Sequence, residues 1–202
     1  MQMLNGLMLL LLVLCCSSAR ANTVLVLGDS LSAAYGISES EGWVQLLQAQ
    51  VKAQGRGISV INASISGETS AGGLARVDEL LTRHRPQLVV LELGANDGLR
   101  GLPVKQVRAN LEAIVLRSKA AKARVLLLGI ELPINYGTRY RLAFRQMFAD
   151  LAKIHKTGFV PFFIVDIADN RSNFQADGIH PTAAAQPKIL ARVWPALEPM
   201  LK

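Results

Sequence analysis

Five largely apolar runs recur along the chain, at 24–27, 58–61, 88–91, 125–130 and 159–165, without the regular polar alternation of a sheet that has one wet face. Such runs read as strands buried on both sides. Between them the apolar positions change to helical spacing. Trp43, Leu46, Leu47 and Val51 form one face, and Leu74, Val77, Leu80 and Leu81 a second. Val104, Val107, Leu111, Ile114 and Val115 form a third, and Phe144, Met147, Phe148 and Leu151 a fourth. A last helical stretch covers about 183–201, kinked or shortened by Pro187, Pro195 and Pro199. Strands alternating with helices predict an α/β fold, a mainly parallel sheet covered by helices on both faces. The chain shows no internal repeat and no low-complexity linker.

In parallel sheets ligands bind beyond the carboxyl ends of the strands. The unusual polar segments all follow predicted strands: Gly28-Asp29-Ser30, "NASISGETSAGG" (62–73), "GANDG" (94–98) and "ELPINYG" (131–137). They are expected to share one rim.

The first 21 residues differ from the rest. An apolar run, Leu7 to Leu14, precedes Cys15, Cys16, two serines and Ala19-Arg20-Ala21. An apolar segment followed by a small-residue cleavage site predicts a secretory signal peptide over 1–21, cut after Ala21. The run is shorter than the roughly 20 residues that span a bilayer. Met1 to Gly6 contains no Lys or Arg, so the positive start rests on the α-amino group. Residues 22–202 then form one domain, periplasmic or secreted. Both cysteines leave with the leader, so no disulfide or thiol chemistry is expected of the mature chain. The net charge of +7 is scattered, without a nucleic-acid motif, and reads as a solvated basic surface. No stable membrane insertion is expected once the leader is removed.

Ser30 ends a predicted strand and turn. A serine hydroxyl needs a base to become a nucleophile, and histidine is the usual one. His84 and His155 lie near helix ends among Lys and Arg, where solvated or capping roles are expected. His180 stands in "ADGIHP" with Asp177 three residues before it, near enough in a turn to accept the second imidazole N–H. Attack on an acyl carbon also needs donors for the oxyanion. The Gly67 N–H, the Asn96 side-chain amide and the Ser30 N–H are the candidates. Asp29, beside the nucleophile, is expected to hold the turn by hydrogen bonds.

Four blocks in this order, "GDSLS" with Ser30, "SGETS" with Gly67, "GAND" with Asn96 and "DGIHP" with His180, resemble the GDSL or SGNH hydrolase family. The resemblance covers essentially all of the chain after the leader. It is nearest to bacterial periplasmic esterases of the thioesterase I, lysophospholipase L1 and arylesterase type. It implies a three-layer α/β/α, flavodoxin-like fold and hydrolysis of carboxylic esters or thioesters through an acyl-enzyme. Aryl esters, acyl-CoA and lysophospholipids are the implied substrates, with no metal or other cofactor. G-x-S-x-G is absent, so the nucleophile elbow of other lipases is not expected. Two positions depart from the family pattern: Ala95, where a second Gly is common, and Ile134, where Pro or Ala is usual.

Leu99, Ile134 and Tyr136 either line an acyl groove or pack within their own loops. Two other functions compete: a secreted carbohydrate O-acetylesterase using the same residues, and a solute-binding module without turnover. A metal hydrolase is disfavoured, since the three histidines are dispersed and H-E-x-x-H does not occur.

Overall fold

A computed structural model describes residues 22–201, so the leader read in 1–21 lies outside the described residues. Five strands form one parallel sheet in the order β2-β1-β3-β4-β5: β1 Thr23–Gly28, β2 Ser59–Asn62, β3 Leu88–Glu92, β4 Arg124–Leu128 and β5 Gly158–Val160. The three inner strands behave as their apolar sequences require. Every residue of β1 and β3 is buried, as are the last four of β4. The two edge strands are less buried: β5 has two half-buried residues, and β2 has Ser59 exposed and the rest half-buried, which accounts for the serine inside an otherwise apolar run.

The helices are α1 Trp43–Ala53, α2 Ser70–His84, α3 Ala95–Leu99, α4 Val104–Ala120, α5 Thr138–His155, α6 Val165–Ala168 and α7 Gln186–Leu197. Helices α2, α4 and α5 pack side by side over one face of the sheet, and α1, α6 and α7 over the other. This is the three-layer arrangement. It follows from right-handed crossovers: the chain moves outward from β1 to β2, then reverses past β1 to β3. The apolar faces do the packing. Trp43, Leu47 and Val51 recur every fourth residue of α1 and are fully buried. Burial of each such side chain stabilises the fold by about 1.5–3 kcal/mol. The Trp43 N–H donates to Gln186 Oε1 at 3.0 Å, joining the start of α1 to the start of α7.

Three boundaries differ from the sequence expectation. The fifth strand ends at Val160, because Pro161 has no N–H for the ladder. Beyond it Phe163 is fully buried within a turn leading to α6, with Phe162 and Ile164 half-buried and Val165 exposed. β4 stops at Leu128, where a Cβ on Gly129 would run into the Pro161 carbonyl. The last helix contracts to 186–197, with Pro187 in its first turn and Pro199 in a 3₁₀ turn over Glu198–Leu201. The short helices α3 and α6 were too brief to register as periodic faces.

The reversal of strand order falls between β1 and β3, so their carboxyl ends flank the crevice where ligands bind in sheets of this kind. Among the described residues no helix is long and apolar enough to cross a membrane, and no group of three or more His, Cys, Asp or Glu is placed to hold a metal ion.

Candidate active site

Strand β1 runs straight into a tight turn. The Asp29 carbonyl accepts from the N–H groups of Ser32 and Ala33, at 3.2 and 2.9 Å. Gly28 is required by a close approach, since a Cβ there would lie 2.7 Å from Glu92 Oε2 and 2.9 Å from the Ser32 side chain. Asp29 is buried, and its Oδ1 accepts the Leu31 N–H at 3.0 Å, the turn-holding role expected of it. Ser30, half-buried, is thereby presented at the rim.

His180 reaches that serine from the far end of the chain. Residues 173–182 fold back on themselves: Gln175 N–H donates to the His180 carbonyl at 2.8 Å, and Thr182 N–H to the Asn173 carbonyl at 2.8 Å. Arg171 braces the outside of this loop by donating to the carbonyls of Phe174, Gln175 and Ala176. Asp177 closes the inside. Its Oδ1 accepts the N–H groups of Ile179 and His180 at 2.9 and 3.0 Å, and its Oδ2 lies 2.7 Å from His180 Nδ1. These bonds, the imidazole's first, hold the Asp177 carboxyl well below the usual carboxylate range. The carboxylate in turn fixes the proton on Nδ1 and leaves Nε2 to face Ser30 Oγ, 2.9 Å away. The Tyr35 ring lies against the imidazole with centroids 4.3 Å apart.

A third group comes from β2 and β3. Gly67 has φ +80°, and a Cβ there would meet no protein atom, so the backbone angle and not crowding calls for glycine. Asn96 sits in the first turn of α3, and its Nδ2 donates to the Glu68 carbonyl at 2.9 Å and to Asp29 Oδ2 at 3.2 Å. The N–H groups of Ser30 and Gly67 make no hydrogen bond among the described residues. Two backbone donors therefore remain available on the same rim as the serine hydroxyl. The loop carrying Gly67 is pinned on its C-terminal side. Asp97 accepts from Ser70 N–H and Ser70 Oγ at 2.8 and 2.6 Å, and Arg76 pairs with Glu68.

Two buried acids stand behind the Ser30 turn. Burial pushes the Asp29 carboxyl up to about 6, against the opposing pull of Leu31 N–H, His180 and Asn96. Glu92, fully buried at the end of β3, is raised well above the usual range by burial and by the nearby Asp29 charge. Glu92, Asp97 and Tyr35 also belong to the site and stand outside the residues expected from sequence. Glu92 carried a legible signal, because a lone acid ending the run "LVVL" is out of place in a buried strand. Asp97 and Tyr35 carried none, since their partners lie 27 and 145 positions away.

Of the residues read as acyl-groove candidates, Ile134 is 83% exposed in a 3₁₀ turn over Ile134–Tyr136. Tyr136 is half-buried, and its hydroxyl donates to the Leu99 carbonyl at 2.8 Å, joining this loop to α3. His84 and His155 end α2 and α5 as expected, and His155 Nε2 lies 2.7 Å from Glu112.

A hydroxyl, an imidazole and a carboxylate in series, with backbone donors nearby, can transfer an acyl group to the hydroxyl. Comparison with known proteins agrees with that chemistry. A model of the GDSL-like lipase/acylhydrolase family matches residues 26–186. The chain is 52% identical to esterase TesA of Pseudomonas aeruginosa over 95% of its own length and 96% of that protein. It is 44% identical to thioesterase 1/protease 1/lysophospholipase L1 of Escherichia coli, covering 96% of this chain and 91% of the other. The crystal structure of the psychrotrophic esterase EstA from Pseudoalteromonas sp., inhibited by monoethylphosphonate, superposes with a TM-score of 0.85 at 47% identity. That match covers 89% of this chain and 98% of EstA. Likeness of this extent, in sequence and in fold, places the chain in the GDSL-like lipase/acylhydrolase family, as a serine hydrolase of carboxylic esters and thioesters.

Proposed function

We propose that Ser30 is the nucleophile, His180 its general base and acid, and Asp177 the group that orients His180. The observation that carries this reading is the continuous chain of contacts from Asp177 Oδ2 through the imidazole to Ser30 Oγ, at 2.7 and 2.9 Å. In the first half-reaction Ser30 Oγ adds to the acyl carbon while its proton passes to His180 Nε2. The tetrahedral oxyanion is met by the N–H groups of Ser30 and Gly67 and by the Asn96 amide. Collapse expels the alcohol or thiol, which takes the proton from His180, and leaves Ser30 acylated. Water then adds to the acyl carbon with His180 again accepting the proton, and the carboxylic acid leaves as Ser30 recovers its hydrogen.

The substrates are small-molecule esters and thioesters, among them aryl esters, acyl-CoA and lysophospholipids. Acyl groups would meet the β4–α5 loop, where Ile134 is exposed and a groove of about 440 Å³ is lined by Tyr136, Gly137, Thr138, Arg139, Tyr140 and Ala143. Residues 22–202 act as one catalytic domain, exported to the periplasm or beyond by the leader in 1–21; the leader's apolar run and small-residue site support export.

The test is covalent labelling. Incubation with an aryl phosphonate should phosphonylate one residue, and peptide mass spectrometry should place the adduct on Ser30. Ser30→Ala should abolish both adduct and turnover while the thermal unfolding curve is retained. An adduct on Ser32 or Ser66 overturns the assignment.

A further inference from the structure

A carboxyl group buried at the end of an inner strand is costly, and Glu92 is not compensated as a stabilising group would be. Its side chain is fully buried, and Oε1 has no hydrogen-bond partner among the described residues. Leucine, as at the neighbouring Leu91, would avoid the cost of that unsatisfied atom. The other oxygen is fully used. Oε2 accepts the Asp29 N–H at 3.2 Å and the Ser32 hydroxyl at 2.7 Å. These two donors bracket Ser30, one residue before it and two after. Gly28 completes the fit, because any side chain there would collide with Oε2 and with Ser32.

We propose that Glu92 is a positioning residue for Ser30: one carboxyl oxygen clamps the turn on both sides of the nucleophile and so aims the Ser30 hydroxyl at His180 and the Ser30 N–H at the oxyanion. The inference rests on the reading of Ser30 as nucleophile. Glu92 touches neither Ser30 Oγ nor His180 and acts through the backbone of the turn. Burial and the Asp29 charge raise the Glu92 carboxyl well above its usual range, which favours the neutral acid. A neutral acid accepts hydrogen bonds through its carbonyl oxygen, and a carboxamide offers the same atom. Glutamine can therefore replace it, whereas leucine cannot.

The experiment compares wild type, Glu92→Gln, Glu92→Leu and Ser32→Ala. The readouts are kcat and KM for p-nitrophenyl butyrate, the rate of inactivation by diethyl p-nitrophenyl phosphate, and thermal unfolding. Misplacement of a reacting group by about 1 Å costs on the order of 100-fold. Folded Glu92→Leu should lose roughly 10- to 100-fold in kcat with KM within about twofold, and inactivation should slow in parallel. Glu92→Gln should restore kcat to within about threefold of wild type, and Ser32→Ala should fall between, roughly three- to tenfold down. A folded Glu92→Leu that is merely less thermostable, with wild-type kcat and inactivation rate, overturns the proposal. So does a Glu92→Gln as slow as Glu92→Leu. If Glu92→Leu does not fold, Ser32→Ala decides, and wild-type kcat and inactivation there overturn the proposal. Failure of the nucleophile assignment is distinct, because wild-type enzyme would then carry its phosphate adduct on a residue other than Ser30.

Discussion

The Asn96 side-chain amide donates to Asp29 Oδ2 at 3.2 Å, while the same nitrogen donates to the Glu68 carbonyl at 2.9 Å. One side chain thus joins the Ser30 turn after β1 to the Gly67 loop after β2. Both N–H directions are engaged in the resting enzyme, and the longer bond, to Asp29, is the weaker of the two. An oxyanion forming on the rim would compete for it.

Asn96→Ala should therefore depress kcat about 100- to 1,000-fold, the usual cost of one oxyanion donor. KM for a p-nitrophenyl ester should change little. A variant with normal kcat and only a raised KM would place Asn96 on the ground state instead.

Asp177 and His180 share two contacts within one short loop and are expected to work as a unit. Units of this kind are non-additive. The double alanine variant should turn over about as fast as His180→Ala alone. Losses that multiply in a kinetic double-mutant cycle would show that Asp177 acts elsewhere.

Asp29 has a consequence for stability against pH. Its native carboxyl keeps its proton up to about pH 6, whereas the unfolded chain releases it near its ordinary value of 3.8. Between those values the native state binds more protons than the unfolded state, so Asp29 makes stability fall as pH rises from about 4 to 6. In Asp29→Asn that fall should be missing. The stability of the variant relative to wild type should thus rise by up to about 3 kcal/mol across the window. Urea unfolding of both proteins at pH 4, 5, 6 and 7 checks the slope, and parallel curves would refute it.

Ile134, at 83% exposure, contributes no packing that its removal would expose. Ile134→Ala should leave stability within about 0.5 kcal/mol. If the side chain touches acyl groups, the preference between long and short p-nitrophenyl esters should shift by roughly 1–3 kcal/mol in kcat/KM. Tyr136→Phe, which loses the bond to the Leu99 carbonyl, should act on the shape of the same loop. An unchanged chain-length profile in both variants would leave this loop without a part in specificity.

The alternation of apolar runs and helical faces was enough for the α/β class and for the common rim. Burial on both sides of a parallel sheet leaves no other pattern for strands such as "VLVL". Ser30, Gly67, Asn96 and His180 were legible for a related reason, since each stands in a polar block that interrupts an apolar design. The Asp177–His180 pair was legible because three residues in a turn suffice to bring the two groups together. What the sequence could not reveal depends on distance along the chain. Ser30 and His180 are 150 positions apart, and only the closure of the 173–182 loop over β1 sets them 2.9 Å from each other. Likewise the apolar run through 165 divided into strand and turn only when Pro161 met the end of β4. Glu92 acquires its meaning from β1 and β3 lying side by side, with Gly28 opposite Glu92 in register. Local spacing determines which groups an element carries, but the partners of a buried polar atom are chosen by packing between elements, and that choice exists only in three dimensions.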